Sequence, residues 1–216
     1  MQRLYHMDAT NINIGGGVLV RLRRFGPSDL RYLDCWRRNI DSDRYMASLK
    51  PLRFAEGGFG GWGRSYVWFV IVAGGTDVGA VWIDRRRKHP DQGVLGIVIG
   101  HTERLGRGIG RQAVMQALFR ARGILGFDSV RLTVRQSNAR AVRCYRRCGF
   151  RVTGRGIKPM EDGDKVPFFR MERRMLDIPG GASRVVGIGS HPLFTSCAGG
   201  CPCNSRPCRR LASDAN

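Results

Sequence analysis

The chain has 216 residues, 42% of them hydrophobic, and a formal net charge of +20 at pH 7. A chain of this length buries one sizeable core and little more. Its longest apolar run, Tyr66–Ala73, has the length of a strand, and no apolar signal stretch opens the sequence, so we expect a soluble, cytoplasmic protein without a membrane span. The charge suits a nucleic-acid or ribosome-associated protein, a binder of a phosphorylated cofactor, or a solvated arginine-rich surface. No aromatic-interleaved basic motif or C-x-x-C finger accompanies it.

Hydrophobic periodicity and turn residues predict one α+β domain over residues 18–176, after a flexible leader over residues 1–17. The glycine-rich run 57–63 predicts a flexible loop without regular structure. The first predicted elements are a strand at 18–22, a helix from Pro27 through Trp36 and a short helix at 42–49. A strand at 66–73, a hairpin turn at 74–77 and strands at 78–84 and 94–99 follow. The last predicted elements are a helix at 108–122 closing at Gly123, a strand at 130–134, a helix at 139–148, and strands at 150–153 and 166–171.

The segment 177–216 loses periodicity and is rich in Gly, Pro and Ser, so we predict a disordered tail. Four cysteines in this tail and an upstream His191 offer ligands for zinc, but their spacing matches none of the paired patterns typical of zinc sites, and we expect no metal. The remaining cysteines lie in predicted helices and are expected to be small buried residues. The tail cysteines are Cys197, Cys201, Cys203 and Cys208, and the helical ones are Cys35, Cys144 and Cys148.

A glycine-rich turn follows the strand at 94–99 and opens the next helix. Its glycines leave room for close approach of a ligand, and the free N–H groups of the first helical turn favour an anion. Three arginines add positive charge at the same place. A pyrophosphate therefore fits this turn, although the glycines taken alone are also consistent with an ordinary loop. A P-loop is excluded because Gly-Lys-Ser/Thr is absent, and a dinucleotide fingerprint because its glycines lie too far from the strand. The glycines are Gly106, Gly108 and Gly110, and the arginines Arg104, Arg107 and Arg111.

A second motif follows the next strand and reads Asn138-x-x-Ala141-x-x-x-Tyr145-x-x-x-Gly149-Phe150. The two motifs in this order, with a strand between them, resemble the GNAT superfamily of N-acetyltransferases over about residues 18–174. The opening segment and residues 94–100 look most like the branch of ribosomal-protein N-terminal, diamine and aminoglycoside acetyltransferases. The resemblance implies a single domain with a mixed, mostly antiparallel sheet flanked by helices. It also implies transfer of an acetyl group from acetyl-CoA to a primary amine by direct attack, without an acyl-enzyme.

The resemblance also implies roles for individual residues. The strand ending at Ile99 should splay from the strand at 130–134 and leave a wedge for the pantetheine arm. The phenol of Tyr145 should lie by the thioester sulfur as general acid, although its helix face also allows it to be a core residue. For the cofactor, the resemblance implies that the backbone of Val98, Ile99 and Gly100 pairs with the pantetheine amides and that Asn138 bonds the cofactor near the pantetheine. The pyrophosphate is expected to bind the amides of Arg107, Gly108, Ile109 and Gly110, with added positive charge from Arg104 and Arg111.

Two positions depart from the family pattern. Leu105 stands where Arg or Gln is usual, and Val94 stands where many members place a glutamate base. The base is therefore open between a water chain, an amine that arrives deprotonated, and the side chains His101, Glu103, Glu161, Asp162 and Asp164.

The acceptor site is expected between the two N-terminal helices, the 57–63 loop and the 157–166 connection. Phe59, Trp62 and the acids of that connection could line it for a cationic amine, or could face solvent. The other functions that the sequence allows are a non-catalytic CoA-binding scaffold and a basic ribosome- or RNA-associated protein.

Overall fold

A computed structural model describes residues 18–39, 49–160 and 163–175. These residues form a seven-stranded sheet in the order β1-β2-β3-β4-β5-β7-β6, in which only the β4–β5 pair is parallel. The strands are β1 Val20–Arg24, β2 Tyr66–Ala73, β3 Thr76–Arg85, β4 Gln92–Ile99, β5 Ser129–Arg135, β6 Arg151–Pro159 and β7 Lys165–Arg174. The helices are α1 Leu30–Asn39, α2 Phe54–Gly57, α3 Ile109–Leu125 and α4 Ala139–Arg147. The predicted α+β class and mixed, mostly antiparallel sheet are confirmed.

The two faces of the sheet carry separate hydrophobic clusters, because neighbouring residues of a strand point to opposite sides. Val81 of β3 and Leu95 of β4 belong to the cluster that includes α3. Ala80, Trp82 and Val98 belong to a second cluster that contains Trp36 of α1. Any gap within the sheet therefore connects the α3 side with the α1 side.

Helix α3 also covers the outer edge of the sheet at β1. The side chains of Gln112, Gln116 and Arg120, spaced four residues apart, donate hydrogen bonds to the carbonyl oxygens of Val18, Val20 and Leu22 at 3.1, 2.7 and 2.9 Å. One helical turn of four residues rises about 6 Å, close to the two-residue repeat of a strand. The helix thereby satisfies carbonyl groups of an edge strand that would otherwise be open to pairing with another chain.

The prediction of an irregular loop at 57–63 is wrong. Helix α2 reaches Gly57 and a 3-10 turn spans Gly58–Gly61. Aromatic side chains hold this segment: the Phe59 ring lies 5.0 Å from that of Phe54, and the indole N–H of Trp62 donates to the Trp68 carbonyl at 3.2 Å.

Several predicted boundaries are displaced. Helix α3 continues past Gly123 to Leu125 and ends at Gly126, which adopts the left-handed conformation (φ 65°). β1 begins two residues later than predicted, and β6 and β7 are longer than predicted. The predicted leader 1–17, most of the predicted helix 42–49, Glu161, Asp162 and the tail 177–216 lie outside the described residues.

None of the helices in the described ranges is long and apolar enough to cross a membrane. Within the same ranges, no three His, Cys, Asp or Glu side chains come together in a group that could hold a metal ion.

Candidate active site

Strands β4 and β5 separate soon after they pair. Their parallel pairing consists of Gln92 with Ser129, Gly93 with Val130 and Val94 with Arg131. Beyond this point β4 continues beside β3 to Ile99, and β5 continues beside β7 to Arg135. The predicted splay is confirmed. It opens a cavity of about 870 Å³, called the wedge cavity below, lined by both strands and by the start of α3.

The N-terminus of α3 forms one wall of the wedge cavity. Gly106 and Gly108 have φ angles of 83° and 78°, which favour glycine, and no atom lies within 4 Å of where a Cβ at either position would be. The first i to i−4 bond of the helix runs from the Gln112 N–H to the Gly108 carbonyl at 3.1 Å. The N–H groups before Gln112 therefore have no acceptor within the helix and can bind an anion.

Arginines surround this helix end, and Asp128 is the only acidic residue in the sequence from 104 to 147. The Nε of Arg111 is buried and has no hydrogen-bond partner among the described residues. Arg104 donates to the Ala73 carbonyl at 3.2 Å. The contribution of α4 was not predicted, although the spacing of its arginines (i, i+3, i+7) indicates one helix face. The arginines that line the cavity near the two helices are Arg104, Arg107, Arg111, Arg140, Arg143 and Arg147.

The backbone of β4 offers fewer N–H and C=O groups to a ligand than the sequence predicts. The Gly100 N–H donates to the Val78 carbonyl at 2.8 Å, and Gly100 is absent from the cavity lining, which includes Val98 and Ile99. Because antiparallel pairing alternates along a strand, Val98 also pairs toward β3, opposite Ala80. Ile99 therefore directs its backbone groups toward the gap, and Gly100 instead serves packing, since a Cβ there would lie 2.1 Å from Trp36.

Asn138, Ile109, Gly110 and Tyr145 all line the wedge cavity. The side-chain oxygen of Asn138 accepts the Ala141 N–H at 3.0 Å and caps α4, so its NH₂ group is the part left for a ligand. The half-buried Tyr145 ring lies edge-on to Phe150 at 6.0 Å.

Burial raises the pKa of Tyr145, and the nearby thiols of Cys144 and Cys148 raise it further. The phenol is therefore protonated at neutral pH and can donate a hydrogen bond. Its hydroxyl makes no hydrogen bond with the part of the chain that the structure describes, which leaves it available to a ligand.

Cys144 also lines the wedge cavity, next to Tyr145. Cys144 and Cys148 are free thiols, and a hydrogen bond from Cys148 lowers the pKa of Cys144, helped by Arg111 and Arg147. Both cysteines are predicted from the sequence to be buried packing residues, which holds for Cys148 at 1% exposure but not for the half-buried Cys144.

None of the described base candidates lines the wedge cavity. His101 and Glu103 bind each other at 2.9 Å, and hydrogen bonds from its own backbone N–H and from His101 lower the pKa of Glu103. Asp164 is exposed. The acid that does line the cavity is Asp84 of β3, which the sequence analysis did not single out. The available signal was an aspartate ending an otherwise apolar run in a predicted strand.

The expected acceptor residues are only partly in place. Phe59 and Trp62 are half-buried, pack against the second hydrophobic cluster and do not line the wedge cavity. The 157–166 connection does contribute, through Lys158, Met160 and Val166.

Comparisons with known proteins agree with this geometry. The sequence model of the acetyltransferase (GNAT) family matches residues 33–150, more than half of the chain. No curated protein matches the sequence. Spermidine N-acetyltransferase from Vibrio cholerae, in complex with CoA and spermine, has a TM-score of 0.60 and 19% identity over 73% of this chain and 96% of its own.

Two further solved structures are similar. An aminoglycoside acetyltransferase in complex with coenzyme A has a TM-score of 0.55 and 18% identity over 72% of this chain and 94% of its own. A GNAT-family acetyltransferase from Streptococcus pneumoniae has a TM-score of 0.57 and 21% identity over 72% of this chain and 99% of its own. At these identities the structures support the fold, and the match to the family model shows that the chain belongs to the GNAT family of acetyltransferases.

Proposed function

We propose that the chain transfers an acetyl group from acetyl-CoA to a primary amine, by direct attack of the amine on the thioester. The observation that carries this proposal is the wedge cavity itself. It joins a helix N-terminus ringed by arginines to a narrow gap between two strands, and Tyr145 lies along it. The arginines, the narrow gap and the phenol, in this order, match a phosphorylated carrier with a long, thin arm and a reactive end.

The phosphate groups belong at the α3 end. The N–H groups of residues 107–110 and the side chains of Arg104 and Arg111 would hold the pyrophosphate. The buried Nε of Arg111 lacks a partner among the described residues, and a bound phosphate oxygen would supply one. Ile99 would pair with the amides of the pantetheine arm through its backbone, and the NH₂ of Asn138 would donate to the same arm.

The thioester then lies near Tyr145. Its raised pKa keeps the phenol protonated, and the departing thiolate needs a proton or a hydrogen bond. Direct attack needs no nucleophile from the protein, so Cys144 has no required part in the reaction.

The amine approaches from the other face of the sheet, where Trp82 and Asp84 line the cavity. Both structural neighbours of known substrate carry names of enzymes that act on small amines, which makes polyamines and aminoglycosides the first acceptors to test. Peptides with a free N-terminus form the third class, because the sequence also resembles the ribosomal-protein N-terminal branch.

The test is turnover of acetyl-CoA, followed as free thiol, against a polyamine, an aminoglycoside and a peptide N-terminus. We expect at least one acceptor to release CoA well above the rate without amine. Binding of acetyl-CoA with no turnover across the panel would instead favour a non-catalytic scaffold. Absence of binding would contradict the proposed cofactor site.

Gly110→Leu tests the location of the cofactor. A Cβ at Gly110 would make ordinary contacts of 3.5 Å with Ile99 and 3.6 Å with Cys144, so a larger side chain must extend into the wedge cavity between them. We expect acetyl-CoA affinity by calorimetry to fall by at least tenfold. Gly123→Leu is the matched control on the same helix, since nothing lies within 4 Å of its Cβ position. Equal affinities for the two variants would place the cofactor elsewhere.

A further inference from the structure

Asp84 is the only acid that lines the wedge cavity among the residues that the structure describes. It lies at the end of β3 and is 3% exposed. Buried carboxylates are rare without a paired charge, and Asp84 forms no ion pair within the described ranges. A buried carboxylate without a charged partner is costly, so its presence at the edge of a cavity indicates a functional role.

The sheet register puts Asp84 directly beside the gap. Asp84 pairs with Val94 on β4, and Val94 is the last β4 residue paired with β5 before the strands separate. Directly opposed residues on neighbouring antiparallel strands extend their side chains from the same face. Asp84 therefore occupies the place next to Val94, on the face that carries Trp82 and lies away from α3. Tyr145, on α4, lines the same cavity.

Two backbone groups fix the carboxylate without neutralising it. The N–H of Leu52 donates to one oxygen at 3.0 Å and that of Arg53 to the other at 3.2 Å. Each oxygen keeps a lone-pair site for a further donor. A carboxylate with one fixed orientation and a free lone pair on either oxygen can accept a proton from a group in the cavity.

The charged and titratable groups around Asp84 leave its proton affinity raised. Burial raises its pKa to about 6, although the two backbone donors and Arg53 lower it; Glu56 adds to the rise. Arg53 is itself paired with Glu56. Tyr66 of β2 donates its hydroxyl to the Gly58 carbonyl at 2.6 Å, and the lysines that line the cavity are Lys50 and Lys158.

We propose that Asp84 is the general base that takes a proton from the acceptor ammonium. This proposal rests on the proposed function. The ammonium gives one proton to the Asp84 carboxylate, and its lone pair forms the C–N bond while the C–S bond breaks. The thiolate receives the Tyr145 proton, and the second nitrogen proton then replaces the one the phenol gave. Asp84 returns its proton to water, so one proton is released for each acetyl group moved.

The test is the pH profile of Asp84→Asn beside wild type, with an acceptor found in the turnover panel. Wild-type kcat/KM should rise with pH up to about 6 as Asp84 ionises. It should then level off, because above that pH Asp84 is fully ionised and the amine still binds as ammonium. The variant should lose about 10²–10⁴-fold at pH 7. Its kcat/KM should keep rising toward the pKa of the amine, about 10 for an alkyl ammonium, so that the deficit shrinks at high pH. Acetyl-CoA affinity should stay within about twofold of wild type.

Controls separate catalysis from structure. Asp91→Asn removes an exposed carboxylate outside the cavity and should leave the profile unchanged. Asp84→Glu keeps the carboxylate and should keep the break near pH 6 even if its rate is lower. This variant carries the test if Asp84→Asn does not fold.

Three outcomes would overturn the assignment. If Asp84→Asn has the same kcat/KM as wild type, Asp84 is not the base, and the acetyltransferase proposal remains intact. A uniform loss that keeps the break near pH 6 would make Asp84 only a support for the segment at Leu52. A wild-type protein that binds acetyl-CoA but acetylates no amine would remove both proposals together.

Discussion

At the scale of single residues, the ring and the hydroxyl of Tyr145 have different surroundings. Its ring packs against Phe150, while its hydroxyl has no partner in the described part of the chain. A residue that served packing alone would need no hydroxyl here, because phenylalanine fills the same space. The hydroxyl is therefore the part of the side chain that our proposal assigns to the thioester, and the ring is the part that packs.

Tyr145→Phe should separate these two roles. The ring and its packing remain, so the melting temperature should change little. The lost proton donor should lower kcat by roughly 10²–10⁴-fold, while acetyl-CoA affinity stays near that of wild type, because the interaction matters mainly in the transition state. Normal turnover in the Phe variant, together with unfolding of Tyr145→Ala, would show a core residue.

Cys144→Ala is the matched control, because it removes the neighbouring side chain that lines the same cavity. Direct attack predicts that this variant keeps its turnover. Loss of turnover there, with trapping of an acetylated protein in wild type, would instead indicate a covalent route through the thiol.

At the scale of elements, α3 connects stability with the site. Its N-terminus forms the wall of the wedge cavity, and its Gln112, Gln116 and Arg120 side chains hold the edge strand β1. Gln116 is 2% exposed. A buried carbonyl deprived of its donor costs about 1–3 kcal/mol, so these polar residues are structural although they lie on the packed face of a helix.

The two glycines near the end of α3 should respond oppositely to alanine. Gly123 lies within the helix, is exposed, and has free space at its Cβ position, whereas Gly126 has φ 65°. Gly123→Ala should stabilise the fold by about 0.5–1 kcal/mol, and Gly126→Ala should destabilise it by about 1–2 kcal/mol. Thermal unfolding of the two variants measures both. A loss of stability in Gly123→Ala would mean that the helix ends at this residue, as the sequence predicts.

The sequence predicts the elements whose patterns are local. Strand β2 is apolar throughout and has the predicted bounds Tyr66–Ala73, and α4 follows the Asn138 cap as expected. The sequence does not predict elements whose conformation depends on contacts with residues distant in the chain. The run 57–63 is ordered by aromatic contacts with Phe54 and Trp68. The largely exposed strand β6 and the partly buried strand β7 lack a clear apolar alternation.

The site divides in the same way. The glycine-rich turn and the Asn138–Tyr145 motif can be found from spacing because each lies within one helix and its flank. Asp84 could not be placed, since only the β3–β4 register brings it beside Val94. A carboxylate that enters the cavity from a neighbouring strand therefore cannot be found by inspecting one strand alone.

At the scale of the whole molecule, the net charge of +20 is concentrated partly around one opening. Three α4 arginines line the wedge cavity, and none of them forms an ion pair within the described ranges. Arg146, on the same helix, lies outside the cavity lining and is likewise unpaired there. The structure thus offers matched arginines inside and outside the proposed phosphate site.

These arginines distinguish a cofactor-binding role of the charge from an RNA-binding role. Binding of labelled single-stranded RNA, followed by fluorescence anisotropy across a salt series, should be weak at physiological salt. Acetyl-CoA should displace the RNA, because both anions would use the same arginines. Arg143→Gln, which removes a cavity-lining charge, should weaken acetyl-CoA and RNA together, whereas Arg146→Gln should leave acetyl-CoA affinity unchanged. A true RNA-binding surface predicts the reverse: tight binding that acetyl-CoA does not displace, a steep linear fall of log K with log salt as counterions are released, and comparable losses from both substitutions. That result would make nucleic acid a partner of the surface rather than a competitor at the cofactor site.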